Sequence, residues 1–281
     1  APAYVRHEIV HNRYVVEGLE TMGAVFVESL DEVPPTEQPV IFSAHGVPKS
    51  VPEDAKARNL HYLDATCPLV SKVHKQAMLH ERRGRRVLLV GHRGHPEVVG
   101  TMGQLQDGAV SLLETPEDVV ALDVADGETG QGLGFVTQTT LSVDDANMII
   151  EALKVRFPSI QAPKKDDICY ATQNRQDALK SLVDKCDLVF VVGSPNSSNS
   201  NRLREIAEKR GIPAYLIDSA NDIKAEWLEG KENIGLTAGA SAPEVLVQQV
   251  TDKLTKMGAN VLPDTQGVVE TVSFVLPKEL R

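Results

Sequence analysis

A cysteine and two polar loop tips recur at the same spacing in two stretches of the chain, and this repeat limits the fold more than any other feature. Cys67 lies 24 residues before Gly91, and Cys169 lies 24 before Gly193. His95 follows Cys67 by 28 residues, as Ser197 follows Cys169, while Thr139 and Ser241 each follow their cysteine by 72. One offset of 102 residues brings all three features into register, which reads as two copies of one structural unit. In each copy a β-branched run (Val87-Leu88-Leu89-Val90, Leu188-Val189-Phe190-Val191-Val192) ends at a glycine-led polar tip and is followed by an amphipathic helical stretch. Continuously apolar strands alternating with helices predict α/β architecture, with mainly parallel sheets covered on both faces. Helix punctuation agrees. Ser142 stands before the acidic pair Asp144-Asp145, and Gly84 and Gly211 sit where helices should close.

The stretch before Cys67 resembles the back end of a third copy, with His11 at a first tip and His45 at a second. The expected organisation is therefore three pseudo-equivalent α/β domains. The first covers residues 1–66, lacks its N-terminal strand and helix, and is completed by 256–281. The second covers 67–165 and the third 166–255. Counting back 28 residues from His11 places the first copy's cysteine about 17 residues ahead of Ala1, so the expectation is a chain entered in mid-domain.

Composition narrows the class. With 29 basic against 39 acidic residues and 4% aromatics, the chain lacks the basic field and stacking platforms of a nucleic-acid binder. The 42% apolar and 24% charged fractions are those of an ordered globular protein. No apolar run approaches the ~20 residues that span a bilayer. Three scattered cysteines make no disulfide framework and fit a reducing compartment.

Ligands of open α/β sheets bind beyond the carboxyl ends of the strands, where helix N-termini offer free N–H groups. The six tips carry His11, His45, His95, Thr139, Ser197-Ser198-Asn199 and Ser241. Neutral donors, helix dipoles and imidazolium groups suit a small, highly charged anion such as a diphosphate. Taken singly, Ser, Thr and Asn at such junctions are ordinarily caps, and a lone His there is ordinarily structural. Three histidines at equivalent tips exceed what capping requires. Glu97, in Gly94-His95-Pro96-Glu97, has two readings: a dipole-favouring residue behind a proline at the first helical position, or a general acid. His92 and His95 are three apart, but no third zinc ligand is evident nearby. Cys67 and Cys169 each open a repeat at a helix N-terminus, which favours the thiolate. Such a pair is either inert and buried or, with a third, suited to an iron–sulfur cluster that leaves one iron open as a Lewis acid. Cys186 has no repeat equivalent and reads as structural.

Six segments carry a resemblance: D-A-T-C-P-L-V at 64–70, G-H-P-E at 94–97, T-Q-T-T-L-S at 137–142, D-D-I-C-Y-A-T at 166–172, N-S-S-N-S-N-R-L at 196–203 and T-A-G-A-S-A-P at 237–243. Together, across essentially the whole chain, they resemble the 4-hydroxy-3-methylbut-2-enyl diphosphate reductase family, the last enzymes of the non-mevalonate isoprenoid pathway. The resemblance implies three α/β domains around a central [4Fe–4S] cluster held by three cysteines, two of which match Cys67 and Cys169. It implies a diphosphate substrate bound by His11, His45, His95, Ser197, Ser198, Asn199 and Ser241. It makes Glu97 the proton donor and Thr139 a contact of the substrate hydroxyl. The implied reaction is a reductive dehydroxylation giving isopentenyl and dimethylallyl diphosphate, with an open iron for the hydroxyl oxygen and a flavodoxin or ferredoxin as electron donor. No nucleic acid or membrane takes part, and the expected location is bacterial cytoplasm, with a plastid as the alternative. The family's G-F-C-A-G segment, with the first cluster cysteine, does not occur in residues 1–281, and the third ligand is expected upstream of Ala1. Two rivals share part of this pattern. Quinolinate synthase resembles the three-domain, three-cysteine plan but would not share G-H-P-E and N-S-S-N. A cluster-free binding protein for a small phosphorylated ligand would use the tips without needing Glu97 or the cysteines.

Overall fold

A computed structural model of the protein describes residues 3–124, 132–262 and 268–276. Among the described residues ten strands form three sheets, with parallel pairing throughout. The first contains β1 (Tyr4–Arg6), β2 (Val25–Val27), β3 (Val40–Phe42) and β4 (Tyr62–Asp64), in the order β2-β1-β3-β4. The second contains β5 (Arg86–Val90), β6 (Val110–Leu113) and β7 (Leu133–Thr137), in the order β6-β5-β7. The third contains β8 (Leu188–Val192), β9 (Ala214–Ile217) and β10 (Ile234–Ala238), in the order β10-β8-β9. In every sheet the first strand is flanked by the next two, one on each side. The strand order therefore reverses beside β1, β5 and β8, whose carboxyl ends are where open α/β sheets bind ligands.

The apolar strands are buried on both faces, as their composition predicts. Along β5, Val87 and Leu89 pack with Val73 and Ala77 of helix α3 (Pro68–Arg82) and Val98 of α4 (Pro96–Met102). Leu88 and Val90 point the other way, onto Phe135, Phe157, and Ile149 and Leu153 of α6 (Val143–Arg156). Strand β8 does the same. Val189 and Val191 meet Leu179 of α7 (Tyr170–Leu182) and Leu203 of α8 (Ser198–Lys209), while Leu188, Phe190 and Val192 meet Leu246 and Val250 of α9 (Glu244–Lys256). Each such side chain contributes roughly 1.5–3 kcal/mol by burial. The remaining helices are α1 (Arg13–Thr21), α2 (Ser50–Ala57) and α5 (Pro116–Ala121).

The predicted punctuation is present. Ser142 accepts the amide of Asp145 at the start of α6, and Gly84 and Gly211 take φ of +69° and +74° directly after the caps of α3 and α8. By contacts the chain groups into two compact units. One comprises Ala1–Val10, Leu19–Cys169 and Phe274–Arg281; the other comprises His11–Gly18 and Tyr170–Ser273. Each sheet lies inside one of the three expected segments, while the contact grouping places the first two sheets in one unit. The expected completion of the first domain draws partly on 263–267 and 277–281, outside the described residues, and 268–276 carry neither helix nor strand.

Candidate active site

The repeat holds to the residue at the first tips. Gly91 N–H bonds to Leu113 O and Gly193 N–H to Ile217 O, His95 and Ser197 cap α4 and α8, and a Cβ on either glycine would collide with Val98 or Ser200 at matching places on those helices. Glu97 and Asn199 are thus counterparts, each the second residue of its helix. At the second tips the arithmetic slips by one. Gln138 N–H bonds to Val90 O, and Gly239 N–H bonds to Val192 O, an offset of 101 rather than 102. The equivalent residues are His45, Thr140 and Ser241, each three positions beyond its strand, and Thr139 stands one residue earlier. In the first copy the N-cap is Asn12, whose Oδ1 accepts Val15 N–H at 3.1 Å, and His11 precedes it. A one-residue change in loop length is invisible to spacing counts because each loop resets its own register.

The first compact unit gathers Glu97, Thr139, His45, His95, Cys67 and Cys169. Glu97 is 2% exposed. One carboxyl oxygen accepts Thr139 N–H at 2.6 Å and the other accepts Thr139 Oγ1–H at 2.8 Å. Burial pushes this carboxyl up from 4.5 to about 7, against the two Thr139 donors that favour the anion, and the nearby charge of Asp167 adds to the rise. The result is an acid able to hold or release a proton near neutrality. His45 and His95 meet edge to face with ring centroids 5.9 Å apart, and His7, at φ +59°, lies 6.1 Å from His45. Two glycines allow this approach. A Cβ on Gly100 of α4 would stand 3.0 Å from the Gly46 carbonyl oxygen, and Gly46 itself needs φ +80°.

Cys67 caps α3 and Cys169 directly precedes α7, and both are half-buried. Their amides are fixed in parallel ways, Cys67 N–H on Ala44 O at 3.0 Å and Cys169 N–H on Thr139 O at 2.9 Å. Soft thiol donors at helix N-termini fit iron–sulfur ligation. Among the described residues no group of three or more His, Cys, Asp or Glu is placed to hold a single metal ion. Cys186 is 7% exposed and packs among Leu179, Val183 and Val189, the structural place expected of it.

The second compact unit gathers His11, Ser197, Ser198, Asn199 and Ser241. Ser241 Oγ donates to His11 O at 3.0 Å, and Ser194 Oγ accepts Arg13 N–H at 2.9 Å, which fastens the start of α1 to these tips. Ser197 Oγ accepts Ser200 N–H at 3.3 Å and Ser200 Oγ–H at 3.0 Å. Asn199 is 4% exposed, yet among the described residues neither its amide oxygen nor its amide nitrogen has a hydrogen-bond partner. A buried, unsatisfied amide of this kind costs about 1–3 kcal/mol and fits a polar ligand.

Sequence reading missed two contributors, His7 and Asp167. Asp167 has a fully buried side chain, accepts Thr137 N–H at 3.1 Å and lies 3.1 Å from Lys72 Nζ. Burial raises its carboxyl, partly offset by Thr137 and Lys72. Its signal was an aspartate two residues before a site cysteine, indistinguishable by sequence from a surface residue.

Comparison with known proteins follows this geometry. The family model described as LytB protein matches residues 1–255. The chain is 58% identical over 281 residues to 4-hydroxy-3-methylbut-2-enyl diphosphate reductase of Aromatoleum aromaticum, covering 100% of this chain and 88% of that protein. It is 58% identical over 283 residues to the enzyme of the same name from Methylococcus capsulatus, covering 100% and 89%. The solved structure of E-1-hydroxy-2-methyl-but-2-enyl-4-diphosphate reductase from Plasmodium falciparum superposes with a TM-score of 0.86 at 37% identity, over 95% of this chain and 86% of that one. With the family model spanning nearly the whole chain and relatives this similar end to end, the chain belongs to the LytB protein family.

Proposed function

We propose that this protein is an oxidoreductase that removes the allylic hydroxyl of 4-hydroxy-3-methylbut-2-enyl diphosphate, using two electrons and two protons. Water leaves, and isopentenyl and dimethylallyl diphosphate are formed. The observation that carries the reading is Glu97, a fully enclosed carboxyl held by Thr139 and pushed up to about 7. A leaving hydroxyl must be protonated, and an acid titrating near the working pH does this best. Thr139 orients the acid and offers its own hydroxyl to the substrate oxygen. The residues proposed to bind the diphosphate are His11, His45, His95, Ser197, Ser198, Asn199 and Ser241. The amide of Asn199 finds there the partners it otherwise lacks.

Cys67 and Cys169 would each supply a thiolate ligand to a [4Fe–4S] cluster. When bound, that group supplies single electrons and a Lewis-acid iron. A flavodoxin or ferredoxin is the proposed electron donor. The three homologous α/β segments 1–66, 67–165 and 166–255 remain the proposed domain plan. Among the described residues no helix is long and apolar enough to cross a membrane. Bacterial cytoplasm is the proposed location.

A cluster-free binding protein would gain nothing from burying an acid beside a threonine, and Glu97 speaks against that alternative. The deciding experiment supplies substrate and a chemical reductant to anaerobically purified, iron-reconstituted full-length protein. Both isoprenyl diphosphates are expected. Binding of substrate without conversion would overturn the reading.

A further inference from the structure

We infer that Lys72 and Asp167 form an ionic clasp that positions Cys169 against the helix bearing Cys67. The inference rests on the reading of these two cysteines as cluster ligands. Lys72 lies on α3, the helix that Cys67 caps. Its ammonium donates to the carbonyl oxygens of Lys165 at 2.9 Å and Asp166 at 2.7 Å, and stands 3.1 Å from Asp167 Oδ1, an ionic contact off the hydrogen-bond direction. Asp167 Oδ2 accepts the amide of Thr137, the last residue of β7. One lysine therefore gathers three consecutive residues, and the last of them is two positions from Cys169.

The repeat supplies an internal control. The segment leading to Cys67 has Ala65 where this one has Asp167, and it is held by a backbone bond from Ala65 N–H to Phe42 O at 3.2 Å. A buried carboxylate is expensive unless its charge is met, so an ordinary loop anchor would use the backbone as the first copy does. The Asp167 side chain is 0% exposed and Lys72 is 33% exposed, so the pair is shielded from salt more than a surface bridge. Lys72 ties the loop to the helix of one cysteine, and Asp167 ties it to the strand whose next residues hold Glu97. Lys72 and Asp167 are positioning residues.

The test is cysteine alkylation of cluster-free full-length protein by iodoacetamide, with Cys67, Cys169 and Cys186 quantified separately by peptide mass spectrometry. Lys72→Met should speed labelling of Cys169 about tenfold, equivalent to ~1.4 kcal/mol of eased local opening, while buried Cys186 keeps its rate. Lys72→Arg should restore the slow rate. Iron bound per chain after reconstitution should fall in Lys72→Met and recover in Lys72→Arg. A Cys169 rate within about twofold of the parent overturns the clasp, as does a parallel rise at all three cysteines, which would mark general loosening. If Lys72→Met does not fold, Asp167→Asn is read the same way. A parent that binds no iron refutes the cluster reading, while the alkylation rates still judge the clasp.

Discussion

Replacing Glu97 by Gln keeps the shape of the side chain and removes its titration. The amide oxygen still accepts Thr139 N–H, a 2.6 Å bond in the parent, and the Thr139 hydroxyl can turn to accept from the new NH₂. In the folded parent the carboxyl keeps its proton up to about pH 7, whereas an ordinary carboxyl loses it at 4.5. Between those values the native state binds more protons than the unfolded chain, so the parent's stability falls as pH rises. The full contribution is present below pH 4.5 and is gone above about 7. Over that window the loss is about 3 kcal/mol, and the Gln variant lacks it. Urea unfolding of parent and variant in half-unit pH steps measures the difference directly, and contributions from Asp167 common to both largely cancel. A parent-minus-variant difference that stays flat would refute the buried-acid argument. A difference that grows with pH would mean the Thr139 donors hold the anion and burial is the weaker effect. In turnover, the same variant should lose about a hundredfold or more in kcat with KM near the parent's.

Three further outcomes follow from the same geometry. Asn199→Ala should cost little or even gain about 1 kcal/mol in ligand-free melts, because two unsatisfied polar atoms leave the interior, yet weaken diphosphate binding more than about tenfold by calorimetry. Gly100→Ala should lower stability by about 1–3 kcal/mol in urea unfolding, since its Cβ meets the Gly46 carbonyl, which cannot rotate away. Cys186→Ala should cost about 1 kcal/mol by the same measurement and leave the iron content unchanged, whereas Cys67→Ser and Cys169→Ser should each abolish cluster retention.

The chemistry at the tips was legible in the sequence because each tip is short and sits at a fixed place after a strand. His95, Ser197 and Cys67 occupy helix caps that spacing alone predicts. The same arithmetic misplaced Thr139 by one position, since it compared residues across loops of unequal length.

What the sequence determined by itself is the local: strands apolar on both faces, helices punctuated by Ser142, Gly84 and Gly211, and polar tips at strand ends, all properties of neighbours a few bonds apart. What only tertiary structure decided is the state of the groups those tips present. Glu97 becomes an acid near neutrality because the fold buries it, and that burial outweighs the two hydrogen bonds from Thr139, 42 residues later, that favour its anion. Asp167 becomes an anchor because Lys72, on the earlier helix that Cys67 caps, turns toward it. Asn199 becomes an unsatisfied amide because the described residues folded around it supply no partner. Desolvation and charge pairing depend on distances through space, and those exist only after the chain has folded.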